Sequence, residues 1–346
     1  MSRPLYASRL EAAVGAQHLD VHDGRSVVRP GSSAEIADVI RVARDAGVEV
    51  ALGGRRGVAL DLSRMRNILH LDETSLLVQV QAGITAEALD ALLAERGLQL
   101  APLPTPSRGR TLGALLAAPR PSEASPRWGR FVQTCAGVSG LLADGTEIAT
   151  RVAPRKATGP DLMHALVGGR GTLGLISSAT LRLHRRGEIR HDAAWTFASA
   201  EGALRAARAL LVRGGRPLDL QVSASPPTLS ITVDGPQPMV DAERELAARV
   251  AAEHGGAQVP HKPPPQDHDP PHERAVPMEA IEQLGKSLDA AQAPSVRVIG
   301  WHPAGAAFVD PSRAPDGAGA LHPLVAALKR RMDPDGRFPS WPGTHA

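Results

Sequence analysis

The chain has 346 residues, of which 42% are hydrophobic and 22% are charged, a balance typical of a globular protein with more than one core. Its 39 Lys and Arg residues nearly offset 36 Asp and Glu residues, and only 3% of the residues are Phe, Trp or Tyr. A net charge of +3 and so few aromatic side chains argue against nucleic acid as a partner.

Cys135 is the one cysteine in the sequence, which excludes an internal disulfide and a cysteine-based metal cluster. Its small neighbours predict a buried, unreactive thiol. The residues that follow Met1 lack the apolar segment of a signal peptide, and no apolar run approaches the roughly 20 residues that span a bilayer. We therefore expect a cytoplasmic location, with no transmembrane segment.

Short helices and strands alternate through the first 186 residues. Apolar residues at helical spacing predict helices over residues 34–46, 85–97, 111–118 and 161–167. Apolar or alternating runs predict strands over residues 48–52, 59–62, 67–71, 76–82, 138–142, 146–152 and 173–183. Ser32 or Ser33 is the expected N-cap of the first helix, and Leu89, Leu92 and Leu93 the buried face of the second. Their short, mixed connections predict an α+β fold, not a regular parallel α/β stack.

After residue 187 the pattern changes to that of a small β-α-β-β-α lobe. Its predicted helices cover residues 201–212 and 239–253, and its strands residues 218–223 and 229–233. Six prolines crowd into residues 255–275, which is typical of a loop or linker. Beyond it we predict helices over residues 277–291 and 321–332 and strands over residues 296–301 and 306–309. The predicted divisions are residues 1–186, 187–256, 257–276 and 277–346.

Four short motifs occur in order through the first division. They are residues 36–48, then LDLSRM and VQAGIT at residues 60–65 and 80–85, LADG at residues 142–145, and VGGRGTLGLI at residues 167–176. In this order they resemble the FAD-binding domain of the vanillyl-alcohol oxidase family, which D-lactate dehydrogenases and glycolate oxidase subunits share. The LKRRMDPDGRF tail at residues 328–338 is similar to the ending of glycolate oxidase subunits. The closest resemblance is to the small FAD-binding subunit of bacterial glycolate oxidase.

This resemblance implies a two-lobed PCMH-type FAD-binding domain at residues 1–186, followed by a small ferredoxin-like α+β cap lobe at residues 187–256. The implied cofactor is FAD, held noncovalently because no His or Cys stands where some relatives attach flavin. The implied function is that of a subunit of a flavin-dependent oxidoreductase acting on a 2-hydroxy acid such as glycolate. The implied partners are a larger flavoprotein and an iron–sulfur subunit, with the complex at the inner face of the membrane.

The glycine-rich segment before the long strand is the main candidate for cofactor contact. Glycines allow close backbone approach and turns that aim amide groups at phosphate oxygens. By resemblance, Gly168, Gly169, Gly171 and Gly174 serve this role. The resemblance adds Thr172 and Ile176 of the same segment, and Gly113 and Gly129 farther back, to the cofactor-binding set. The alternative interpretation is a plain turn between a helix and a strand.

Residues 169–174 also spell G-x-G-x-x-G, the dinucleotide fingerprint of a Rossmann fold. That fingerprint requires a strand before it and a helix after it, so that the helix N-terminus faces the diphosphate. Here a helix is predicted before it and a strand after it. The reversed context excludes the Rossmann interpretation and, with it, an NAD-dependent dehydrogenase.

The sequence departs from the family at the loop that wraps the diphosphate. The loop is reduced to Gly53, Gly54, Arg55, Arg56 and Gly57. Either arginine can bind phosphate oxygens in a bidentate manner, and the alternative is a tight turn with two solvated arginines. Only the Arg-Trp-Gly end of a second glycine-rich loop remains at residues 119–129. These changes favour a rival hypothesis, a flavin-free scaffold subunit that keeps the fold.

The resemblance makes His302, in the sequence Gly-Trp-His-Pro, the one candidate for a catalytic base, because it lies on a strand that is suitably placed in the family's last lobe. The alternative is a structural histidine. Three further histidines stand beside aspartates in the proline-rich stretch, at residues 261, 268 and 272, but that setting favours a loop over a metal site. No metal site is predicted.

Overall fold

The computed structural model describes residues 4–22, 25–53, 57–103, 105–120, 123–152, 162–260, 274–276, 295–297, 306–308 and 323–339. Within these ranges the strands form three larger sheets, two in the first part of the chain and one after residue 187, and three two-stranded sheets. The predicted α+β class is confirmed. No helix in the described part of the chain is long and apolar enough to cross a membrane.

The first lobe is a four-stranded sheet with the order β1-β2-β4-β3. Its elements in chain order are α1 (Ala7–Val14), β1 (Leu19–His22), β2 (Arg25–Val28), α2 (Ser33–Asp45), β3 (Val50–Leu52) and β4 (Val58–Leu60). Ser32 is the N-cap of α2, since its hydroxyl accepts a hydrogen bond from the Glu35 amide. The helix buries Ile36, Val39 and Ile40. The predicted helix and its cap are therefore confirmed.

β3 and β4 are parallel neighbours joined by only five residues, 53–57. Gly57 lies directly before β4, and its φ of +64° is a backbone conformation that favours glycine. A Cβ on Gly57 would lie 2.4 Å from the Glu49 carbonyl oxygen, so only glycine fits this turn.

The second lobe is a five-stranded antiparallel sheet with the order β11-β10-β12-β6-β5. Its strands are β5 (Ile68–Asp72), β6 (Leu77–Gln81), β10 (Cys135–Leu141), β11 (Glu147–Ala149) and β12 (Leu175–Arg182). Between them lie α3 (Ala86–Ala94), β7 (Leu98–Gln99), α4 (Thr105–Arg108), α5 (Leu112–Ala117), β8 (Ala124–Ser125), β9 (Gly129–Arg130) and α6 (Met163–Leu166). β12 is central and almost wholly buried, and Cys135 is buried as predicted.

The third lobe follows β13 (His184–Arg185), which pairs with β7. Its elements are β14 (Ile189–Thr196), α7 (Ala200–Val212), β15 (Asp219–Ala224), β16 (Pro227–Gly235), α8 (Gln237–Glu253) and β17 (Ala257–Val259). The strand order β17-β14-β16-β15-β19, with β19 at Ser295–Arg297, is that of a ferredoxin-like lobe extended by one strand. The predicted fold of this lobe is confirmed.

The third sheet has one apolar and one polar face. Leu220, Val222, Leu229, Ile231 and Val233 face α7 and α8 and form a separate core with them. The residues between these positions are Asp219, Gln221 and Ser223 on β15, and Thr228, Ser230, Thr232 and Asp234 on β16. Because strand side chains alternate, this second set points to the opposite face, which carries hydroxyl, amide and carboxylate groups.

The tail of the chain returns to the first two lobes. After β18 (Arg274–Val276) and β20 (Ala306–Phe308), which pair with each other, α9 (Pro323–Met332) leads into a turn. The Arg337 carbonyl accepts a hydrogen bond from the amide of Val50 on β3. Phe338 is buried in the same core as the first two lobes. Residues 329–338 therefore belong to the packing of the amino-terminal half.

Several predicted elements need correction. Leu92 is 47% exposed, so α3 packs only Leu89 and Leu93 inward. β17 lies beyond the predicted lobe boundary at residue 256, because Ala257–Val259 pairs with β14. α6 begins at Met163 and not at residue 161, which lies outside the described residues. The predicted helix over residues 277–291 also lies outside them.

Candidate functional site

A cavity of about 370 Å³ lies where the second lobe, the linker after β13 and the third lobe meet. Its size is within the range of small-molecule sites. One wall is apolar and comes from α3 and the segment after β7, with Ala86, Leu100 and Leu103. The opposite wall is the polar face of the third sheet, with Asp219, Gln221 and Asp234.

Asp234 lines this cavity and is held in place by two donors. Its carboxylate accepts hydrogen bonds from Arg127 and from the Gln99 amide nitrogen at 3.1 Å. The Asp234 side chain is 7% exposed and that of Arg127 is 9% exposed, so the ion pair is shielded from water. A carboxylate held by two donors in this way keeps one orientation toward the cavity.

Three arginines also line the cavity. Asp90 of α3 approaches Arg186 at 3.4 Å and Arg108 at 3.8 Å, and these two arginine side chains are 47% and 48% exposed. Arg190 also lines the cavity and has no ion-pair partner among the residues that the structure describes. Glu188 is a further acidic lining residue, and the β14–β16 register places Arg190 opposite Asp234. Among the described lining residues, three arginines thus accompany four carboxylates, those of Asp90, Glu188, Asp219 and Asp234.

A β-hairpin formed by β8 and β9 joins the second lobe to the third. The Ser125 hydroxyl donates to the Leu218 carbonyl at 2.7 Å, and the Arg127 guanidinium donates to the carbonyls of Arg216 and Asp234, both at 2.9 Å. Trp128 of the same hairpin stacks on His184, with ring centroids 3.8 Å apart. We call Ser125, Arg127, Trp128, His184 and Asp234 the interlobe clasp.

His184 is the strongly perturbed titratable group of the clasp. Burial lowers the pKa of His184 to about 4, against an ordinary value of 6.5. The Asp234 carboxylate raises the pKa and Arg127 lowers it, each by less than burial does. The Nε2 atom of the ring is buried, with no hydrogen-bond partner in the described part of the chain. His184 is therefore neutral at neutral pH.

The glycine-rich turn between α6 and β12 uses its amide groups within the protein. The amides of Gly168 and Arg170 donate to the carbonyls of Leu116 and Ala117 at the end of α5, both at 2.8 Å. The amides of Gly169 and Thr172 donate to carbonyls of the same turn region. The first two amides tie the turn to α5 and the other two close the turn itself, so none of the four is a free donor for phosphate oxygens.

Two glycines of this turn are needed for packing. A Cβ on Gly169 would lie 2.4 Å from the Ala165 carbonyl oxygen, and one on Gly174 would lie 2.5 Å from the Leu166 side chain. The context of the G-x-G-x-x-G pattern is helix α6 before it and strand β12 after it. The rejection of a Rossmann fingerprint is confirmed.

Other positions on the same elements leave room for a ligand. Gly53 and Gly168 have φ values of +63° and +79°, and a Cβ on either would meet no described atom within 4 Å. Gly171, with φ of +75°, would meet only the edge of Leu175 there. The hydroxyls of Thr172 and Ser177 are buried and find no hydrogen-bond partner within the described ranges. Open backbone and unpaired buried hydroxyls fit the close approach of a flavin nucleotide.

The remaining predicted contact residues lie in different places. Gly113 packs against β6, since its Cβ would lie 3.0 Å from that of Ala82. Gly129 lies in the clasp hairpin with φ of +74°. Ile176 is buried on β12. Gly57 is in the β3–β4 turn. The structure does not bring these residues into one cluster, and their role in cofactor binding stays a prediction.

Gly54, Arg55, Arg56 and His302 lie outside the described residues, so their predicted roles stay predictions. No group of acidic, histidine or cysteine side chains suited to a metal ion occurs in the part of the chain that the structure describes.

Sequence reasoning missed Glu123, in the segment that departs from the family. Its carboxylate is 1% exposed and accepts hydrogen bonds from the Ser107 hydroxyl at 2.7 Å, the Arg120 amide at 2.9 Å and the Arg110 guanidinium. Arg110 also donates to the carbonyls of Ala114 and Ala118. This network anchors the segment that leads into the clasp. A charged residue among prolines gave no sequence signal for such burial.

Residues 25–151 match FAD_binding_4, a family described as an FAD binding domain. The uncharacterized FAD-linked oxidoreductase YgcU of Escherichia coli K12 is 28% identical over 167 residues, or 48% of this chain and 32% of that protein. D-lactate dehydrogenase (cytochrome) 1 of Saccharomyces cerevisiae is 27% identical over 206 residues, or 55% of this chain and 35% of that protein. The chain thus spans about a third of the length of these relatives.

Solved structures show the same fold. Alkyldihydroxyacetonephosphate synthase superimposes with a TM-score of 0.76 at 16% identity, over 97% of this chain and 86% of that one. 4-Ethylphenol oxidase from Gulosibacter chungangensis does so with a TM-score of 0.67 at 12% identity, over 94% and 86%. The family match supports FAD as the cofactor. Residues 25–151 therefore match an FAD-binding domain, in a chain of PCMH-type fold that is related to FAD-linked oxidoreductases.

Proposed function

We propose that this chain is the FAD-binding subunit of a flavin-dependent oxidoreductase that acts on 2-hydroxy acids of the glycolate type. The observation that carries this proposal is the interlobe cavity. It lies between an FAD-binding domain and the polar face of a ferredoxin-like lobe, and its lining combines a fixed carboxylate, Asp234, with three arginines. D-lactate dehydrogenases, whose printed names specify a 2-hydroxy acid, are among the relatives.

The chain's own residues would bind and orient the acid. Arg108, Arg186 and Arg190 of the cavity lining supply cationic groups for a carboxylate. Asp234 accepts a hydrogen bond from a substrate hydroxyl, because each of its oxygens keeps an unused lone pair beside its present partner. The apolar wall around Leu100 excludes water from the carbon chain. Bound FAD supplies the two-electron redox chemistry.

FAD binding is proposed to be noncovalent, with the open backbone at Gly53, Gly168 and Gly171 and the Thr172 hydroxyl as the contacts. His302 is the proposed proton acceptor from the substrate hydroxyl. The proposed partners are a larger flavoprotein and an iron–sulfur subunit, in a complex at the inner face of the membrane. The sequence resemblance to glycolate oxidase subunits supports this assembly.

Anaerobic single-turnover reduction tests this function without requiring the partners. The purified chain, loaded with FAD, is mixed with glycolate, D-lactate and longer 2-hydroxy acids while the flavin absorbance is followed. We expect at least one acid to bleach the flavin band, and dithionite to bleach it in every sample. A flavin that dithionite reduces and that no 2-hydroxy acid reduces would overturn the proposed substrate class. A chain that takes up no FAD supports the flavin-free scaffold instead.

A further inference from the structure

Two arginines flank the short connection between β3 and β4, and neither was among the predicted cofactor contacts. Arg25 is the first residue of β2, and Arg337 lies in the carboxy-terminal tail. We propose that these two side chains bind the diphosphate of FAD, beside a connection of only five residues. The proposal rests on FAD as the cofactor of the proposed function and does not depend on the substrate.

Both arginines lie near Gly57, the last residue of this connection. The residue that follows Arg25 donates its amide to the Gly57 carbonyl at 3.0 Å. On the other side, Gly57 packs so closely on Glu49 that a Cβ would lie 2.4 Å from the Glu49 carbonyl oxygen. The next residue, Val50, donates its amide to the Arg337 carbonyl at 2.7 Å. Arg25 and Arg337 therefore approach the same end of the connection, one from β2 and one from the outer edge of β3.

The charges of these two arginines are not balanced within the part of the chain that the structure describes. The Nε atom of each is buried and has no hydrogen-bond partner there, and neither guanidinium forms an ion pair with a described carboxylate. Arg29, on the same side of the sequence, differs because it pairs with Asp20 and Asp61. A buried cationic donor without an acceptor is unfavourable, so an anionic ligand is the partner that these side chains lack.

The tail holds the backbone of Arg337 in place without neutralising its side chain. The Arg337 amide donates to the Asp333 carboxylate at 2.7 Å, and its carbonyl accepts the Val50 amide. The Asp333 carboxylate is fully buried and also accepts hydrogen bonds from the Lys329 ammonium and the Phe338 amide. Asp333 therefore serves one ammonium and two amides, and the Arg337 guanidinium stays available for another anion.

A diphosphate fits this arrangement. Arginine binds phosphate oxygens through two parallel N–H donors, and two guanidinium groups match the two negative charges of a diphosphate. Residues 25–151 match an FAD-binding domain, and FAD carries one diphosphate. ADP carries a diphosphate as well, whereas riboflavin has no phosphate. The two arginines should therefore affect the affinity for FAD and ADP and leave the affinity for riboflavin unchanged.

Equilibrium binding to the full chain tests the proposal, with FAD, ADP and riboflavin as probes. Flavin fluorescence follows FAD and riboflavin, and titration calorimetry follows ADP. Arg25→Met and Arg337→Met each remove a charge and keep much of the side-chain volume. We expect each variant to bind FAD and ADP about tenfold more weakly than the unaltered chain, because a charge-assisted hydrogen bond to phosphate is lost. Riboflavin should bind both variants as it binds the unaltered chain.

Two further variants separate a diphosphate contact from a structural role. Arg330→Met is the matched control, because Arg330 is exposed on α9, and it should leave all three affinities unchanged. Arg337→Lys keeps a positive charge and should lose less ADP affinity than Arg337→Met. Equal losses for ADP and riboflavin would mean that the arginines only support the fold, and unchanged ADP affinity would place the diphosphate elsewhere. Either result would overturn the proposal, as would binding of ADP without binding of FAD.

The flavin reduction experiment distinguishes this proposal from the proposed function. FAD binding that depends on the two arginines, without flavin reduction by any 2-hydroxy acid, would leave the diphosphate contact standing and remove the proposed activity. Flavin reduction by a 2-hydroxy acid, with FAD affinity unaffected by either substitution, would do the reverse. A chain that binds no FAD would overturn both.

Discussion

Buried charges in this chain join segments that are far apart in sequence. Arg127 and Asp234 are separated by 107 residues, and Gln99 approaches the same carboxylate from a third segment. A shielded carboxylate keeps its charge only where donors replace water, and here two side chains do so. Two of the residues that join the lobes, Gln99 and Asp234, also line the cavity.

His184 makes stability depend on pH through the clasp. Its pKa in the folded chain is about 4, below the ordinary value of 6.5, so the unfolded chain binds the proton more readily. The stability that the neutral ring contributes is fully present above pH 6.5 and is lost as the pH falls toward 4. His184→Phe keeps a ring against Trp128. When the pH is lowered from 6.5 to 4.5, we expect the melting temperature of this variant to fall less than that of the unaltered chain. Equal losses in thermal melts would contradict this assignment.

Glu123 is expected to be important for stability although no functional motif includes it. Glu123→Ala leaves the Arg110 guanidinium without its buried partner, which typically costs about 3–5 kcal/mol in the free energy of unfolding. Glu73 offers a matched control, because its ion pair with Arg96 is exposed and such pairs contribute about 1 kcal/mol or less. Urea unfolding of both variants measures the difference. Similar midpoints for the two would show that the Glu123 network contributes little.

At the scale of elements, the tail at residues 329–338 packs against both lobes of the FAD-binding domain, and we call these contacts the tail clamp. The Lys329 ammonium donates to the carbonyls of Thr172 and Phe338 and to the Asp333 carboxylate. Asp333 is buried and accepts the amides of Arg337 and Phe338. The tail thus reaches both the glycine-rich turn and, through Arg337, strand β3. It connects the two lobes of the domain that holds the cofactor.

Removal of the Phe338 side chain tests this clamp. Phe338 is 2% exposed, so Phe338→Ala should lower the free energy of unfolding by about 3–5 kcal/mol through lost burial and a new cavity. Leu328→Ala is the control on α9, since Leu328 is 37% exposed and its loss should cost about 0.5 kcal/mol. Chemical denaturation compares the two. A Phe338→Ala variant as stable as Leu328→Ala would mean that the tail does not pack there in solution.

Local features of the sequence predicted much of the fold. Ser32 and Thr85 were identifiable as helix caps because their partners lie three residues away, and both accept the expected amide hydrogen bond. Alternation along residues 218–223 predicted β15. The missed features are long-range. β14 was not located from the sequence, although it lies near the middle of the third sheet. Leu92 was predicted to be buried because helical spacing alone does not show whether another element packs against that position of the helix.

The candidate site was less predictable than the fold. The sequence indicated glycines as cofactor contacts, but spacing alone cannot distinguish Gly174, which packs against Leu166, from Gly168, which faces open space. The cavity depends on residues such as Gln99 and Asp234, which meet only after two lobes fold against each other. The sequence signal for the cavity was the set of polar positions on β15 and β16. These positions alternate with core residues, so their side chains must lie on the face of the sheet that is opposite the helices.

At the scale of the whole molecule, the clasp should set how firmly the third lobe is held. Arg127→Met removes the contacts to Asp234 and Arg216 and leaves a buried carboxylate without its main partner. We expect faster hydrogen exchange in β15 and β16, with little change in β12. Arg130→Met on the same hairpin is the control, because Arg130 is exposed. Unchanged exchange in the third lobe of Arg127→Met would show that other contacts hold the lobes together.

The central claim is that this chain holds FAD in its PCMH-type domain despite a diphosphate loop of five residues. The most direct test is the visible absorption of the purified chain, before and after incubation with FAD and removal of the free nucleotide. We predict flavin absorption bands at one FAD per chain, released on denaturation as intact FAD. A folded chain that stays colourless and retains no FAD would contradict the account.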